Sequence, residues 1–158
     1  KKLKEGACDG ILLAAAGLKR LGIEEGEEWR FIRLSPEQFL PAGGQGILAV
    51  ETKADTEAHR LCSQIDCRSS RLCLTAERSV LETLQAGCHA PVAVYANLFE
   101  EDGETKLRLR GINGPEHASQ LTDAELKNKI RRVDLCGTLS EISVTTLADQ
   151  AGKGLLWP

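Results

Sequence analysis

The chain has 158 residues, 42% of them hydrophobic, and a formal net charge of -3. This length and composition allow one modest core or parts of two, and the charge lacks the basic field that nonspecific nucleic-acid binding requires. The longest apolar stretch, residues 10–18, is shorter than the roughly 20 residues that cross a bilayer, and no secretory signal pattern is recognisable. We therefore expect a cytoplasmic protein with neither a nucleic-acid nor a membrane partner.

The six cysteines are expected to be reduced thiols, because a chain of this size does not need disulfide staples. Cys62, Cys67, Cys73 and Cys88 form no Cys-x-x-Cys spacing, so we expect no metal site. The chain contains no methionine and starts in the middle of a pattern, which suggests a piece of a longer protein.

Three strand-like segments precede residue 52. They are residues 8–16, 29–34 and 47–51. The first is a nearly continuous apolar run, which is typical of a strand buried on both faces, with an Ala-rich helix as the alternative. Residues 18–22 predict one helical turn closed by a glycine, which places Lys19 and Arg20 at the carboxyl end of that strand, where ligands usually approach an open α/β sheet.

Two turn-forming segments separate these strands. In residues 35–38, a serine at the N-cap and a proline at the first helical position predict a brief helical turn. Residues 41–46 hold three glycines within four positions. This segment predicts either a flexible crossover or a backbone that a ligand approaches closely.

Two helices are predicted next. Asp55 predicts the N-cap of a helix running to about residue 65, and a longer helix is predicted from 69 to 85, ended by residues 86–87. Its apolar stripe consists of Leu72, Ala76, Val80 and Leu84. Glu77 and Arg78 are adjacent in this helix and cannot face one another, so we expect them to bond to neighbouring elements.

The last part of the chain predicts a small α+β domain. Residues 91–100 and 106–112 are strand-like and are joined by an acidic turn, which predicts an antiparallel hairpin. Further elements follow in order: a capping box at residues 122–125, a strand at 130–136 and a helix at 140–151 that ends before Gly152 and Gly154.

Cys88 is the candidate nucleophile, because it lies between the end of a helix and a strand that starts near Pro91. A charged His89 beside it would favour the thiolate, although a buried structural thiol is the alternative. The guanidinium of Arg20 can bind a carboxylate through two parallel hydrogen bonds. The alternative is that Arg20 is a solvated residue at a helix end.

Four segments in order resemble successive signatures of the porphobilinogen deaminase family. They are L-L-A-A-A-G-L-K-R-L-G (12–22), L-P-A-G-G-Q-G (40–46), T-A-E-R (75–78) and A-G-C-H-A-P-V (86–92). The resemblance covers most of residues 8–100 and fades beyond the hairpin, where residues 114–129 look like an insertion.

The resemblance implies a fold that combines α/β with α+β. Residues 1–41 would be the C-terminal part of domain 2, a cleft wall of the periplasmic-binding-protein type. Residues 42–65 would be a crossover strand and helix belonging to domain 1. Residues 66–158 would be the cofactor-bearing C-terminal α+β domain, with a three-stranded antiparallel sheet and helices.

The resemblance also implies a transferase of porphyrin and heme biosynthesis that polymerises four porphobilinogen units to hydroxymethylbilane with release of ammonia. It implies a dipyrromethane cofactor joined by a thioether to Cys88, in a cleft lined by Arg20, Gly17, Gln45 and Gly46. The family's catalytic aspartate belongs to an N-terminal half that these residues do not include. That half, porphobilinogen and the growing pyrrole chain are the expected partners, and we expect the 158 residues alone to be inactive.

Three positions depart from the family pattern: Ala86 replaces a glycine, His89 a glutamine and Gly43 a valine. We expect His89 to alter the thiol pKa and Gly43 to loosen a hinge. Two alternatives stay open: a noncatalytic α+β binding or regulatory module, and a cysteine hydrolase that pairs Cys88 with His89 or His117. Strands without neighbours predict self-association of the fragment.

Overall fold

The computed structural model describes residues 2–23, 25–26, 30–87, 89–139 and 144–157. Its α-helices are α1 (Ala15–Arg20), α2 (Glu57–Cys62), α3 (Arg68–Thr83), α4 (Asp123–Lys129) and α5 (Val144–Leu155). Its strands are β1 (Val92–Glu101), β2 (Glu104–Asn113) and β3 (Arg131–Thr138). The chain divides into two compact units, Lys1–Ser35 and Pro36–Pro158. No helix in the described part of the chain is long and apolar enough to cross a membrane.

The hydrophobic core lies in the second unit, where α3 and α5 pack against the sheet. The sheet has the order β1-β2-β3 and both strand pairs are antiparallel. Alternate strand positions and one stripe of each helix face the core, as the periods of two and 3.6 require. The core residues are Ala76, Val80, Val94, Ala96, Leu107, Leu109, Leu147, Ala148, Ala151 and Leu155. The predicted small α+β domain with a three-stranded antiparallel sheet is confirmed.

The predicted hairpin is also confirmed. Asp102 and Gly103 connect β1 to β2 with φ angles of 55° and 77°. Positive φ at both central residues is the backbone of a two-residue type I′ turn, whose twist matches that of the strands. This turn sets the register that pairs Leu98 with Leu107.

The helices agree with their predictions except at some ends. The N-cap of α2 is Thr56, whose side chain accepts the His59 N–H at 3.2 Å, whereas Asp55 adopts a φ of 57°. The capping box of α4 is present at Thr122 and Glu125.

The prediction that the last helix ends before Gly152 is wrong, because α5 continues through Gly152 and Gly154. A Cβ at Gly152 would lie 2.7 Å from the Cβ of Thr83, and one at Gly154 would lie 2.8 Å from Val133 Cγ1. These two glycines let α5 approach its neighbours closely and do not terminate it.

The strand predictions before residue 52 are wrong for the described residues. Residues 8–14, 30–34 and 47–51 are irregular, and α1 begins at Ala15; Trp29 lies outside the described residues. A strand needs a neighbour to take its backbone hydrogen bonds, whereas an Ala-rich segment forms its bonds internally as a helix. The predicted helical turn at residues 35–38 is a non-helical turn at 36–38. The periplasmic-binding-protein-like α/β layer is thus absent from the described residues.

The same region leaves its apolar side chains uncovered. No described residue before Ala76 is buried. Between Ile11 and Ile65, large apolar side chains are widely exposed, such as Leu12 at 69% and Leu48 at 82%. The first 65 residues therefore contribute little to the core within this chain.

Candidate functional site

The first unit holds two of the predicted site residues, Gly17 and Arg20, on α1. Arg20 is exposed in the last turn of this helix, so its predicted place at the carboxyl end of a strand is wrong. A basic residue in this turn interacts favourably with the negative end of the helix dipole. A Cβ at Gly17 would meet nothing within 4 Å.

Gln45 and Gly46 lie in the second unit, in a tight turn at residues 43–46. Together with the two residues before it, this segment (residues 41–46) is called the glycine-rich turn below. Gln45 donates its N–H to the Ala42 carbonyl at 3.1 Å. Gly44 and Gly46 have φ angles of 77° and 82°, which favour glycine because other residues place a Cβ against the backbone there. A Cβ at Gly46 would meet nothing within 4 Å, so this face of the turn is open.

The Glu77 carboxylate holds the glycine-rich turn in place. Its Oε2 accepts the Gly44 N–H at 2.6 Å, and its Oε1 accepts the Ala96 N–H of β1 at 2.8 Å. Only 4% of Glu77 is exposed. Burial raises the pKa of this carboxyl, and the two backbone N–H groups act in the opposite direction. The prediction that Glu77 bonds to neighbouring elements is confirmed, whereas Arg78 is exposed.

The glycine-rich turn also covers the free edge of β1. The Val94 N–H donates to the Pro41 carbonyl at 3.1 Å, so successive edge amides of β1 are satisfied by Pro41 and by Glu77. An unpaired edge strand invites association with other chains, and these bonds block that part of the edge. A Cβ at Gly43 would lie 2.8 Å from Leu81 Cδ1, so the turn also contacts the last turns of α3 closely.

The connection between α3 and β1 contains position 88, and Cys88 itself lies outside the described residues. On the N-terminal side, α3 ends at Thr83, two residues before the predicted end at residue 85. Gln85 follows the helix with a φ of 51°, and bonds run from the Gln85 N–H to the Glu82 carbonyl and from the Ala86 N–H to the Leu81 carbonyl. This pair of bonds is a Schellman motif.

On the C-terminal side of position 88, the Ala90 N–H donates to the Gly87 carbonyl at 3.0 Å, and His89 is exposed. Both ends of the connection are therefore fixed by α3 and β1, the two elements that bind the glycine-rich turn. Two of the four family-like segments contact one another here, because the T-A-E-R segment supplies Glu77, which accepts the Gly44 N–H of residues 40–46.

The arginines of β2 are engaged by carboxylates of the same unit. Arg108 forms a two-bond pair with Asp134, at 2.7 and 2.6 Å, and Arg110 donates to Glu37 at 2.7 Å. Arg108 holds the pKa of Asp134 below its usual range. This cluster is therefore already neutralised and is not an open anion site.

Cys67 is a chemically distinctive residue that the sequence interpretation missed. It is exposed at the N-cap of α3, with its Sγ 3.1 Å from Ser69 Oγ and 3.3 Å from Ser70 Oγ. These hydroxyl groups lower the pKa of the Cys67 thiol to about 7, because they stabilise the thiolate. The useful sequence signal was a cysteine followed by two nearby serines at a helix start. Burial instead raises the pKa of the Cys73 thiol.

Comparison with known protein families matches the chain in two successive ranges. Residues 1–60 match the model described as "Porphobilinogen deaminase, dipyromethane cofactor binding domain", and residues 71–141 match "Porphobilinogen deaminase, C-terminal domain". Together these ranges include most of the chain.

Curated relatives agree with this match. The chain is 38% identical over 157 residues to a porphobilinogen deaminase of Roseiflexus sp. (strain RS-1), with 99% of the chain and 48% of the relative covered. It is 44% identical over 155 residues to a probable porphobilinogen deaminase of Methanosarcina barkeri, with 96% and 48% covered. It is 39% identical over 156 residues to a porphobilinogen deaminase of Brevibacillus brevis, with 98% and 47% covered. The chain thus spans about half the length of the curated relatives it matches.

Proposed function

The chain belongs to the porphobilinogen deaminase family, and from this premise we propose that it is the tether-bearing half of a hydroxymethylbilane synthase. The complete enzyme would be a transferase that joins four porphobilinogen units into hydroxymethylbilane and releases ammonia. The observation that carries the proposal is the direct contact between two of the family-like segments, in which Glu77 of residues 75–78 accepts the Gly44 N–H of residues 40–46. The helix that holds Glu77 also accepts the Ala86 N–H of the third segment, residues 86–92, at the Leu81 carbonyl. The domain boundaries after residues 41 and 65 are part of this proposal.

In this proposal Cys88 is the covalent anchor of a dipyrromethane cofactor. A thiolate is a soft nucleophile, and its attack on a pyrrolic methylene would form a carbon–sulfur bond while ammonia leaves. When bound, the cofactor supplies the end to which pyrrole units are added. Cys88 is thus a tether, and the proton chemistry belongs to residues outside these 158.

The described residues suit the cofactor's acidic side chains. Arg20 is exposed, and a guanidinium binds a carboxylate through two parallel hydrogen bonds. Gly17 and Gly46 have open space where a side chain would stand, which permits a close approach of a ligand to the backbone. Both glycines and Arg20 fall within residues 1–60, the range that matches the model with cofactor binding in its description. We propose that Gln45 contacts the cofactor from the same turn as Gly46.

The remaining half of the enzyme is the proposed partner of the first 65 residues. The support is the exposure of large apolar side chains between Ile11 and Ile65. We expect the 158-residue chain alone to self-associate at high concentration, and to sediment as a one-to-one complex when the N-terminal half is supplied. A chain that stays monomeric and does not bind the N-terminal half would contradict this partner assignment.

Mass spectrometry of the full-length enzyme tests the covalent anchor directly. Wild-type protein should carry a dipyrromethane adduct on the peptide that contains Cys88, and Cys88→Ser should lose it. Cys67→Ser is the matched control, because Cys67 is an exposed thiol with a lowered pKa and should not affect the adduct. An adduct that survives Cys88→Ser, or that disappears with Cys67→Ser, would refute the assignment.

A further inference from the structure

One buried carboxylate joins three separate elements of the second unit. Glu77 lies on α3, and it accepts hydrogen bonds from Gly44, 33 residues away, and from Ala96, 19 residues away. Each oxygen takes one backbone N–H. With Glu77 only 4% exposed, water does not readily replace either bond.

The chemistry of this contact requires an ionised carboxylate. A carboxylate accepts on both oxygens, whereas a glutamine amide has one accepting oxygen and a donating nitrogen. In Glu77→Gln, one of the two backbone N–H groups would therefore face another donor. A buried donor left without a partner is strongly unfavourable, so the structure would shift the turn or the strand instead of keeping both contacts.

The position of Glu77 links the two parts of the proposed site. Gln45 and Gly46 directly follow Gly44 in the glycine-rich turn. In the other direction α3 runs from Glu77 to Leu81, whose carbonyl accepts the Ala86 N–H at the start of the connection that contains position 88. A displacement of Gly44 would change the distance between the open turn and this connection.

We infer that Glu77 is a positioning residue, which fixes the glycine-rich turn against α3 and β1 so that the turn and the Cys88 connection keep a constant separation. This inference rests on the proposed function. The rate of an enzyme is sensitive to such alignment, because a misplacement of about 1 Å caused by a change far from the reacting atoms can cost about 100-fold in rate.

The test compares Glu77→Gln and Glu77→Asp with Glu82→Gln in the full-length enzyme. Glu82 is exposed on the same helix and is the matched control. We expect Glu77→Gln to keep the Cys88 adduct while kcat falls about 10- to 100-fold with a smaller change in KM. Glu77→Asp should recover part of kcat, because it restores two accepting oxygens, and Glu82→Gln should behave as wild type.

An NMR pH titration of the wild-type protein supplies a readout that does not depend on a variant folding. The amide signals of Gly44 and Ala96 should move together with one midpoint, above the usual pKa range of a glutamate, because they report the same carboxyl group. Cys73 is the titratable neighbour of Glu77 on α3, and its raised pKa keeps it neutral in this pH range.

The kinetic, NMR and mass measurements distinguish a failure of the positioning role of Glu77 from a failure of the proposed function. Wild-type kcat and KM in Glu77→Gln, or amide signals that do not titrate together, would overturn the positioning role of Glu77. Wild-type enzyme without an adduct at Cys88 would overturn the proposed function, and the adduct mass reports this before any Glu77 variant is compared.

Discussion

Replacing Gly152 by alanine should destabilise the contact between α3 and α5. The new Cβ would lie 2.7 Å from both Cβ and Cγ2 of Thr83, and 3.1 Å from its Oγ1. The Thr83 Cβ is attached to the backbone and cannot rotate away, and the Thr83 hydroxyl donates to the Ser79 carbonyl at 2.9 Å. Carbon atoms pack favourably at about 3.5–4.0 Å, so the two helices must separate by about 1 Å.

The magnitude follows from two opposing effects. Overpacking a well-packed contact costs about 1–3 kcal/mol. Alanine gains up to about 1 kcal/mol over glycine in a helix interior, and less here because α5 ends three residues later, at Leu155. We expect a net loss of about 1 kcal/mol, which lowers Tm by about 4 °C in a unit of this size. Thr83 ends α3, so the same displacement moves the start of the connection that contains Cys88.

Urea and thermal denaturation of Gly152→Ala against the parent chain measure this loss. Adding Thr83→Ala should recover part of it, because that change removes Cγ2 and Oγ1 and leaves the Cβ in place. A Gly152→Ala protein that is more stable than its parent by the propensity gain alone would refute the close approach of α3 and α5.

Three further predictions concern the described surface. Cys67 should be alkylated by iodoacetamide with a half-maximal rate near pH 7, while Cys73 with its raised pKa reacts slowly there; peptide mapping that finds equal rates would contradict the hydroxyl effect. Asp134→Asn should lower the free energy of unfolding by less than about 1 kcal/mol, since the ion pair with Arg108 is half exposed. Because the pKa of Asp134 is lowered in the folded chain, this cost is present above about pH 4 and disappears as the pH falls through the lowered value; equal urea-denaturation differences at pH 7 and pH 2 would argue against it. Thr122→Ala should destabilise α4 by about 1 kcal/mol, which faster hydrogen exchange of the α4 backbone amides would show. Thr122→Ser keeps the capping hydroxyl and should leave the exchange rates unchanged.

Features encoded by neighbouring residues were predictable. The stripe that includes Ala76 and Val80 identified the buried face of α3, because side chains four positions apart share a helix face. The acidic turn with Gly103 predicted the hairpin, since few residues accept the positive φ of a type I′ turn. The capping box at Thr122 needs only residues within one helical turn.

Features that depend on distant partners were not predictable. An apolar run such as residues 8–16 suits a buried strand or a helix, and its periodicity does not tell which neighbour will take its hydrogen bonds. From neighbouring residues alone, Gly152 predicts the end of a helix. In the structure it lies inside α5, where Thr83 leaves no room for a side chain. Cys88 lies outside the described residues, so its role stays a prediction.

The sequence by itself determined the family, the motif around Cys88 and the local elements of the C-terminal α+β domain, because each depends on residues close together in the chain. The tertiary structure decided what Glu77 does. Its two bonds reach residues 33 and 19 positions away, and no local pattern specifies which backbone amides a buried carboxylate will meet. A buried carboxylate must find donors, so packing turned a helix residue into the link between the glycine-rich turn and β1.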